Sequence, residues 1–434
     1  MNIPEFKYIP IIWISLIMMI IILGLIRTLE PDFEVVSLFA VFIHSIIVLL
    51  VLVTVPQHIK NILVWAFIAR LLFLMWDTYA KHIFILPNAG GDVGMYYSAA
   101  IRISENINLL AEPTRAGIFG KLMGTLFFII GPQRMFAQYL NVIVGLFVVI
   151  TVYKMMNLLD ISPVIRKSIL LIAAFFPNSL IMSAIFLREI IPTFLVSLSL
   201  YYFLLWYKNQ ALSNIVFSII ILAAAAIFHS GVIGIFVGYA FFFLFFKKEN
   251  NKFRFSTQTI VAFVVVGGLA YFTSTQLGDV MFKKFKGAEE MEDIYTQANK
   301  RLGESAYLTG MTINNPIQFI IYGPIKTFYF LTSPLPMNWR GGMDIFSFFF
   351  DSLIYFITLW FIWKNWKYFK IQKPLVIGLI LTLIGVAFIF GIGVSNAGTA
   401  IRHRQKILPL ILILLAVMMD EKHNTLLNYS KKYL

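Results

Sequence analysis

Apolar and polar positions fall in long blocks along this chain. Stretches 11–26, 35–55, 190–207 and 374–394 are almost wholly apolar, and each approaches the ~20 residues that a helix rising ~1.5 Å per residue needs to cross the hydrocarbon. The run Phe241-Phe242-Phe243-Leu244-Phe245-Phe246 does not alternate, which argues against the ~10-residue in-out segments of a barrel. Helical spans are therefore predicted near 10–27, 35–56, 61–78, 135–153, 168–187, 190–207, 213–229, 231–246, 257–273, 345–363, 374–394 and 405–420. The expectation is an all-α polytopic protein of about twelve spans forming one membrane domain over 1–434.

Composition agrees. The chain is 59% hydrophobic and 13% charged, with a mean hydropathy of +0.83, whereas a soluble globule carries about a quarter charged residues. Cysteine is absent, which removes disulfides, thiolate nucleophiles and Cys-ligated metals. The formal charge of +14 would suit nucleic acid, but its basic residues gather in short loops between apolar runs. Lys247-Lys248 with Lys252 and Arg254 form one group; Lys364, Lys367, Lys370 and Lys373 another; Lys154, Arg166 and Lys167 a third; Lys431-Lys432 lie near the end. The positive-inside rule makes these cytoplasmic, puts both termini inside and leaves 79–134 and 273–344 as two large outer segments. The first apolar stretch has no small-residue cleavage site and reads as a retained helix.

Two apolar stretches, 117–131 and 317–331, would reverse the orientation of their neighbours if they crossed. Both are expected on the outer face, the first as an interfacial helix and the second, which holds Pro324 and Lys326, as a broken or re-entrant element. The polar stretch 281–293 reads as a lid-like loop or a solvated connector. No internal repeat supports an inverted-repeat transporter.

Ionisable groups in or beside spans are expensive unless paired or used, which makes them candidates. Asp92 stands in Gly90-Gly91-Asp92-Val93-Gly94-Met95-Tyr96-Tyr97, just past the third span, and Arg188-Glu189 joins the fifth and sixth. Arg402-His403-Arg404, with Lys406, precedes the final span on the side where positive charge should be scarce. Arginine forks bind phosphate oxygens bidentately, and a helix N-terminus would add donors, so a lipid phosphate is the expected counterpart. Arg70 and Asp77 share a face of the third span and are expected to make structural polar contacts. His229, between two short spans, is a bridging residue or a substrate contact, and Tyr96, Tyr97, Tyr307 and Trp339 are sugar-stacking or belt aromatics. Lys326 and Arg340 are weaker substrate-binding candidates.

The stretch 63–100, a span followed by Gly-Gly-Asp, Tyr-Tyr and Ala-Ala, resembles the first outer loop of GT-C glycosyltransferases. Similarity continues at 122–131, at Pro177-Asn178-Ser179-Leu180-Ile181 through Arg188-Glu189, and at Arg402-His403-Arg404 through Pro409. It covers 61–207 as a core, with 1–60 as two extra N-terminal spans and 345–434 as C-terminal spans. His229-Ser230 and the Arg188 region also resemble exopolysaccharide and O-antigen polymerases. The resemblance implies transfer of glycosyl units from an undecaprenyl-(di)phosphate-linked donor to a sugar acceptor, with Asp92 as base and Glu189 positioning substrate, helping a divalent metal or orienting Arg188. Arg402, His403, Arg404 and Arg188 would bind the donor phosphate. Implied partners are the lipid-linked sugar, the bilayer and a chain-length regulator, with no nucleic acid; the implied setting is a bacterial plasma membrane. No cofactor is demanded, and no clustered ligand set demands a metal. A monosaccharide transferase using a polyprenyl-monophosphate sugar, a lipid-linked glycan flippase and a polysaccharide acyltransferase are the alternatives.

Overall fold

A computed structural model describes residues 6–248, 251–253 and 305–433. The predicted span 257–273, the stretch 281–293 and residues 273–304 of the second large segment lie outside the described residues.

The chain folds as helices: α1 Pro10–Arg27, α2 Phe33–Val53, α3 Gln57–Tyr79, α4 Gly91–Glu105, α5 Gly117–Ile130, α6 Arg134–Leu158, α7 Pro163–Phe175, α8 Pro177–Ala184, α9 Ile190–Asn209, α10 Leu212–Phe228 and α11 Ile235–Phe245. After a two-residue antiparallel pairing of Phe246–Lys247 with Lys252–Phe253 come α12 Pro316–Thr332, α13 Gly342–Ser347, α14 Leu353–Asn365, α15 Lys373–Gly393, α16 Ala397–Arg404 and α17 Leu408–Tyr433. Among the described residues seven helical stretches are long and apolar enough to cross a membrane, or eight if α7 and α8 form one bent span. This is an all-α, membrane-embedded, multi-pass protein. On α1 the side chains Ile14, Ile17, Met18, Ile21 and Leu25 are exposed, as expected of a helix whose outer face meets lipid.

The chain divides into two compact units, Met1–Ile150 with Leu170–Ile191, and Thr151–Ile169 with Pro192–Leu434. In the first, α1 packs on α2 and α5, α3 packs on α8, and α4 and α5 form a hairpin. Small residues set the hairpin spacing: a Cβ on Gly124 would come within 2.6 Å of Ile103, so the helices meet along a close seam. In the second unit α11 and α15 touch backbone to backbone, since a Cβ on Gly238 would lie 2.4 Å from the Thr382 nitrogen.

Four sequence expectations are corrected. The single span 168–187 is instead α7 and α8, bent by 44°, because Pro177 has no N–H to continue the first helix. Arg70 covers the break: its Nη1 donates to the Ala66 and Ala174 carbonyls at 2.9 Å each. The stretch 317–331 is not broken; α12 runs through Pro324 and packs on α15, where Gly391 leaves only 2.7 Å between a Cβ position and the Thr327 Cα. The span 231–246 opens with a 3-10 turn, Ser230–Gly234, and its α-helix has 11 residues. The fourth concerns Arg402-His403-Arg404, which end α16 rather than begin a helix. Asn396 caps that helix six residues earlier, accepting from the Thr399 N–H at 3.1 Å, so the three basic residues stand at its C-terminal end, away from its own N-terminus. At fourteen residues α5 rises ~21 Å, short of the ~30 Å hydrocarbon.

Candidate functional site

In the first unit the turn between α8 and α9 carries Arg188 and Glu189, and amides on α6 fix its course. Asn141 Nδ2 donates to the Ile185 carbonyl at 3.0 Å and the Leu187 carbonyl at 2.9 Å. Gln138 Nε2 donates to the Ala184 carbonyl at 3.1 Å and to Asp77 Oδ2 at 2.7 Å. That carboxylate also accepts from Arg134 Nη2 at 3.3 Å. Residues after a helix end have carbonyls without intrahelical partners, and here buried side chains supply them. Asn141→Leu removes both donors at once; an unfolding free energy lower by about 1–3 kcal/mol is expected, read as a lower denaturation midpoint.

The turn seats on α4 and α5. Phe186 contacts the rings of Tyr97 at 5.8 Å, Phe119 at 5.6 Å and Phe127 at 6.0 Å. The Arg188 guanidinium lies 5.8 Å from the centre of the Tyr96 ring, and Glu189 is buried beside it. Asp92 is exposed in the first turn of α4. It stands four residues before Tyr96, hence one turn away on the same face. The two carboxylate-bearing segments separated by nearly a hundred residues therefore meet across Tyr96.

Open space adjoins α4 on two sides. A cavity of about 310 Å³ is lined by Ala89, Gly90, Gly91, Gly94, Tyr97 and Arg134, and a Cβ added to Gly90, Gly91 or Gly94 would meet nothing within 4 Å. These glycines leave room rather than permit packing. A second cavity of about 400 Å³ includes Met95, Ala99, Arg102, Glu112 and Arg115 in its lining. Met95, Ala99 and Arg102 repeat on the stripe of α4 that begins at Asp92. Arg102 and Arg115 were not singled out in the sequence; the signal was Arg102 lying on the Asp92 stripe.

In the second unit Arg404 is wholly buried. Its Nε donates to Asp351 Oδ2 at 2.7 Å, Nη1 to the Phe330 and Ser333 carbonyls at 2.9 and 2.7 Å, and Nη2 to Ser352 Oγ at 3.0 Å. Tyr355 Oη donates to the Arg404 carbonyl at 2.9 Å. Every guanidinium nitrogen is engaged inside the fold, which makes Arg404 a strut binding the π-helical turn Phe348–Ser352 to the end of α12. Asp351, its acidic partner, went unremarked in the sequence.

His229 and His403 converge, their rings 4.4 Å apart, with Phe390 stacked on His403 at 5.1 Å. Lys406 Nζ lies 3.1 Å from His403 Nδ1, and Lys326 and Lys406 are both buried. Arg402, half-buried, offers its carbonyl to Lys406 Nζ at 3.5 Å. Arg340 clasps Asp344 through Nε at 2.9 Å and Nη2 at 2.8 Å beside a cavity of about 250 Å³. Burial pushes the Tyr307 hydroxyl above the usual phenol range, so it stays a donor to the Val394 carbonyl at 3.0 Å.

Among the described residues no group of three or more His, Asp or Glu side chains is arranged to hold a metal ion. Compared with known proteins, the chain matches no family model, no curated protein and no solved structure.

Proposed function

We propose that the protein is a membrane glycosyltransferase of bacterial surface-polysaccharide assembly, a polymerase that moves glycosyl units from an undecaprenyl-(di)phosphate-linked donor to a sugar acceptor on the outer face. The carrying observation is the meeting of the Arg188-Glu189 turn with the Asp92 turn of α4 across Tyr96. Asp92 takes the proton of the acceptor hydroxyl, the oxygen attacks the anomeric carbon, and the bond from that carbon to the phosphate oxygen breaks with inversion. Arg188 neutralises the charge gathering on the departing phosphate. Glu189, buried against the same turn, orients Arg188. Arg102 and Arg115 offer a second place for a phosphate group, about 15 Å along α4 from Asp92.

A second reading, acyl transfer to the polysaccharide, is favoured by one observation: the contact of His229 and His403, with Lys406 against His403, gives the histidine arrangement such a base would use. One assay separates the readings. The reconstituted full chain is given a polyprenyl-diphosphate oligosaccharide, a polyprenyl-monophosphate sugar or an acyl donor, and products are weighed by mass spectrometry. Lengthened glycan is expected. Acylated glycan alone would establish the second reading, and movement of intact donor across the bilayer without any product would make the protein a transporter.

A further inference from the structure

We infer that the cavity of about 250 Å³ bordered by Ser333, Asn338, Trp339, Arg340 and Ala397 is a binding subsite for a neutral sugar ring. The choice of ligand class rests on the glycosyltransferase reading; the cavity and its chemistry stand by themselves. Trp339 is half-buried and held from two directions: its Nε1 donates to the Pro334 carbonyl at 3.2 Å, and its ring meets Phe348 at 5.6 Å. A fixed indole offers an apolar face to the C–H side of a pyranose at little cost in side-chain freedom.

The polar lining suits hydroxyl groups better than an anion. Among the described residues Arg340 is the cation of the cavity, and Asp344 neutralises it through a bidentate contact, with Oδ2 also accepting from the Arg340 N–H at 3.0 Å. A compensated pair presents donor and acceptor atoms together, as vicinal hydroxyls require. Asn338 adds an exposed amide. Ser333 borders the cavity with a buried hydroxyl whose Oγ has no hydrogen-bond partner among the described residues.

The walls are built to persist. Tyr307 N–H donates to the Ser395 carbonyl at 2.9 Å, Ala397 N–H donates to the Ser305 carbonyl at 2.9 Å, and Ser305 Oγ donates to Asn396 Oδ1 at 2.8 Å. The same Asn396 oxygen caps α16. One side chain thus joins the cavity wall to the helix that delivers Arg404 and His403.

The test uses the reconstituted full chain with the trisaccharides of glucose and of N-acetylglucosamine as probes, read by equilibrium dialysis and tryptophan emission. Saturable binding of at least one is expected. Trp339→Leu should weaken it about tenfold or more, and Asn338→Ala about three- to tenfold. Trp339→Phe, which keeps an aromatic face, should bind close to the parent and guards against loss of fold. Absence of binding by both trisaccharides, or unchanged binding in Trp339→Leu, would overturn the subsite; competition by inorganic phosphate would overturn its neutral character. Sugar binding without glycosyl transfer keeps the subsite and sinks the transferase, whereas transfer at unchanged KM in Trp339→Leu does the reverse.

Discussion

Asp92→Asn in the reconstituted protein is expected to lower glycosyl transfer by about 10²–10⁴-fold, the usual contribution of a positioned general base. The amide keeps the size and hydrogen bonding of the carboxyl but cannot take the acceptor proton. Because Asp92 is exposed in the first turn of α4, the substitution should alter unfolding by about 1 kcal/mol or less, so a loss of activity this large will not reflect a lost fold. The loss should fall on kcat with KM for the donor little changed, since the proposed mechanism gives the donor phosphate to Arg188 and not to Asp92. Arg188→Gln should behave differently: it removes charge stabilisation that grows as the glycosidic bond breaks, worth about 10²–10³-fold in kcat, and it also removes the contact with Tyr96. Full transfer by Asp92→Asn would remove the carboxylate from the reaction, and equal losses from Tyr96→Phe would show that packing at this turn, not proton transfer, sets the rate.

Much of this was legible in the chain because the bilayer imposes length. α1, α2, α3, α6, α9 and α15 appear close to where apolar runs of spanning length predicted them. Hydropathy counts apolar residues and is blind to a missing N–H, so it merged α7 and α8 although Pro177 stood in plain view. Topology alone put the Asp92 and Arg188 segments on one outer face, together with Arg402-His403-Arg404. Their contact through Tyr96, Phe186 and Phe119 needed the α4–α5 hairpin, whose seam of Gly120, Gly124, Ala99 and Ala100 leaves little trace in a hydropathy average. Arg102 and Arg115 escaped notice because charges on an exposed segment break no membrane rule. Asp351 should not have escaped: a carboxylate directly after Phe348-Phe349-Phe350 breaks that rule outright. It is the partner of Arg404.

Arg404→Met should destabilise the protein by about 3–5 kcal/mol, because it strands the Asp351 carboxylate in the interior of its unit. Arg404 and Asp351 have side chains 0% and 4% exposed and approach to 2.5 Å, so solvent cannot take over the lost contact. Arg404→Lys should fare little better. A lysine ammonium donates from one point, whereas the arginine fork reaches Asp351, Ser352 and the carbonyls of Phe330 and Ser333 together. Removing both charges, Arg404→Met with Asp351→Leu, should recover much of the loss, since apolar replacement of a whole buried pair is often near neutral. A denaturation series on the parent, both single variants and the double variant gives the coupling directly. The same series separates the two roles open to this arginine. If it held the donor phosphate, Arg404→Lys would raise donor KM while leaving the unfolding midpoint near the parent's. With the guanidinium fully occupied inside the fold, the midpoint should fall first, and the double variant should regain stability and transfer together.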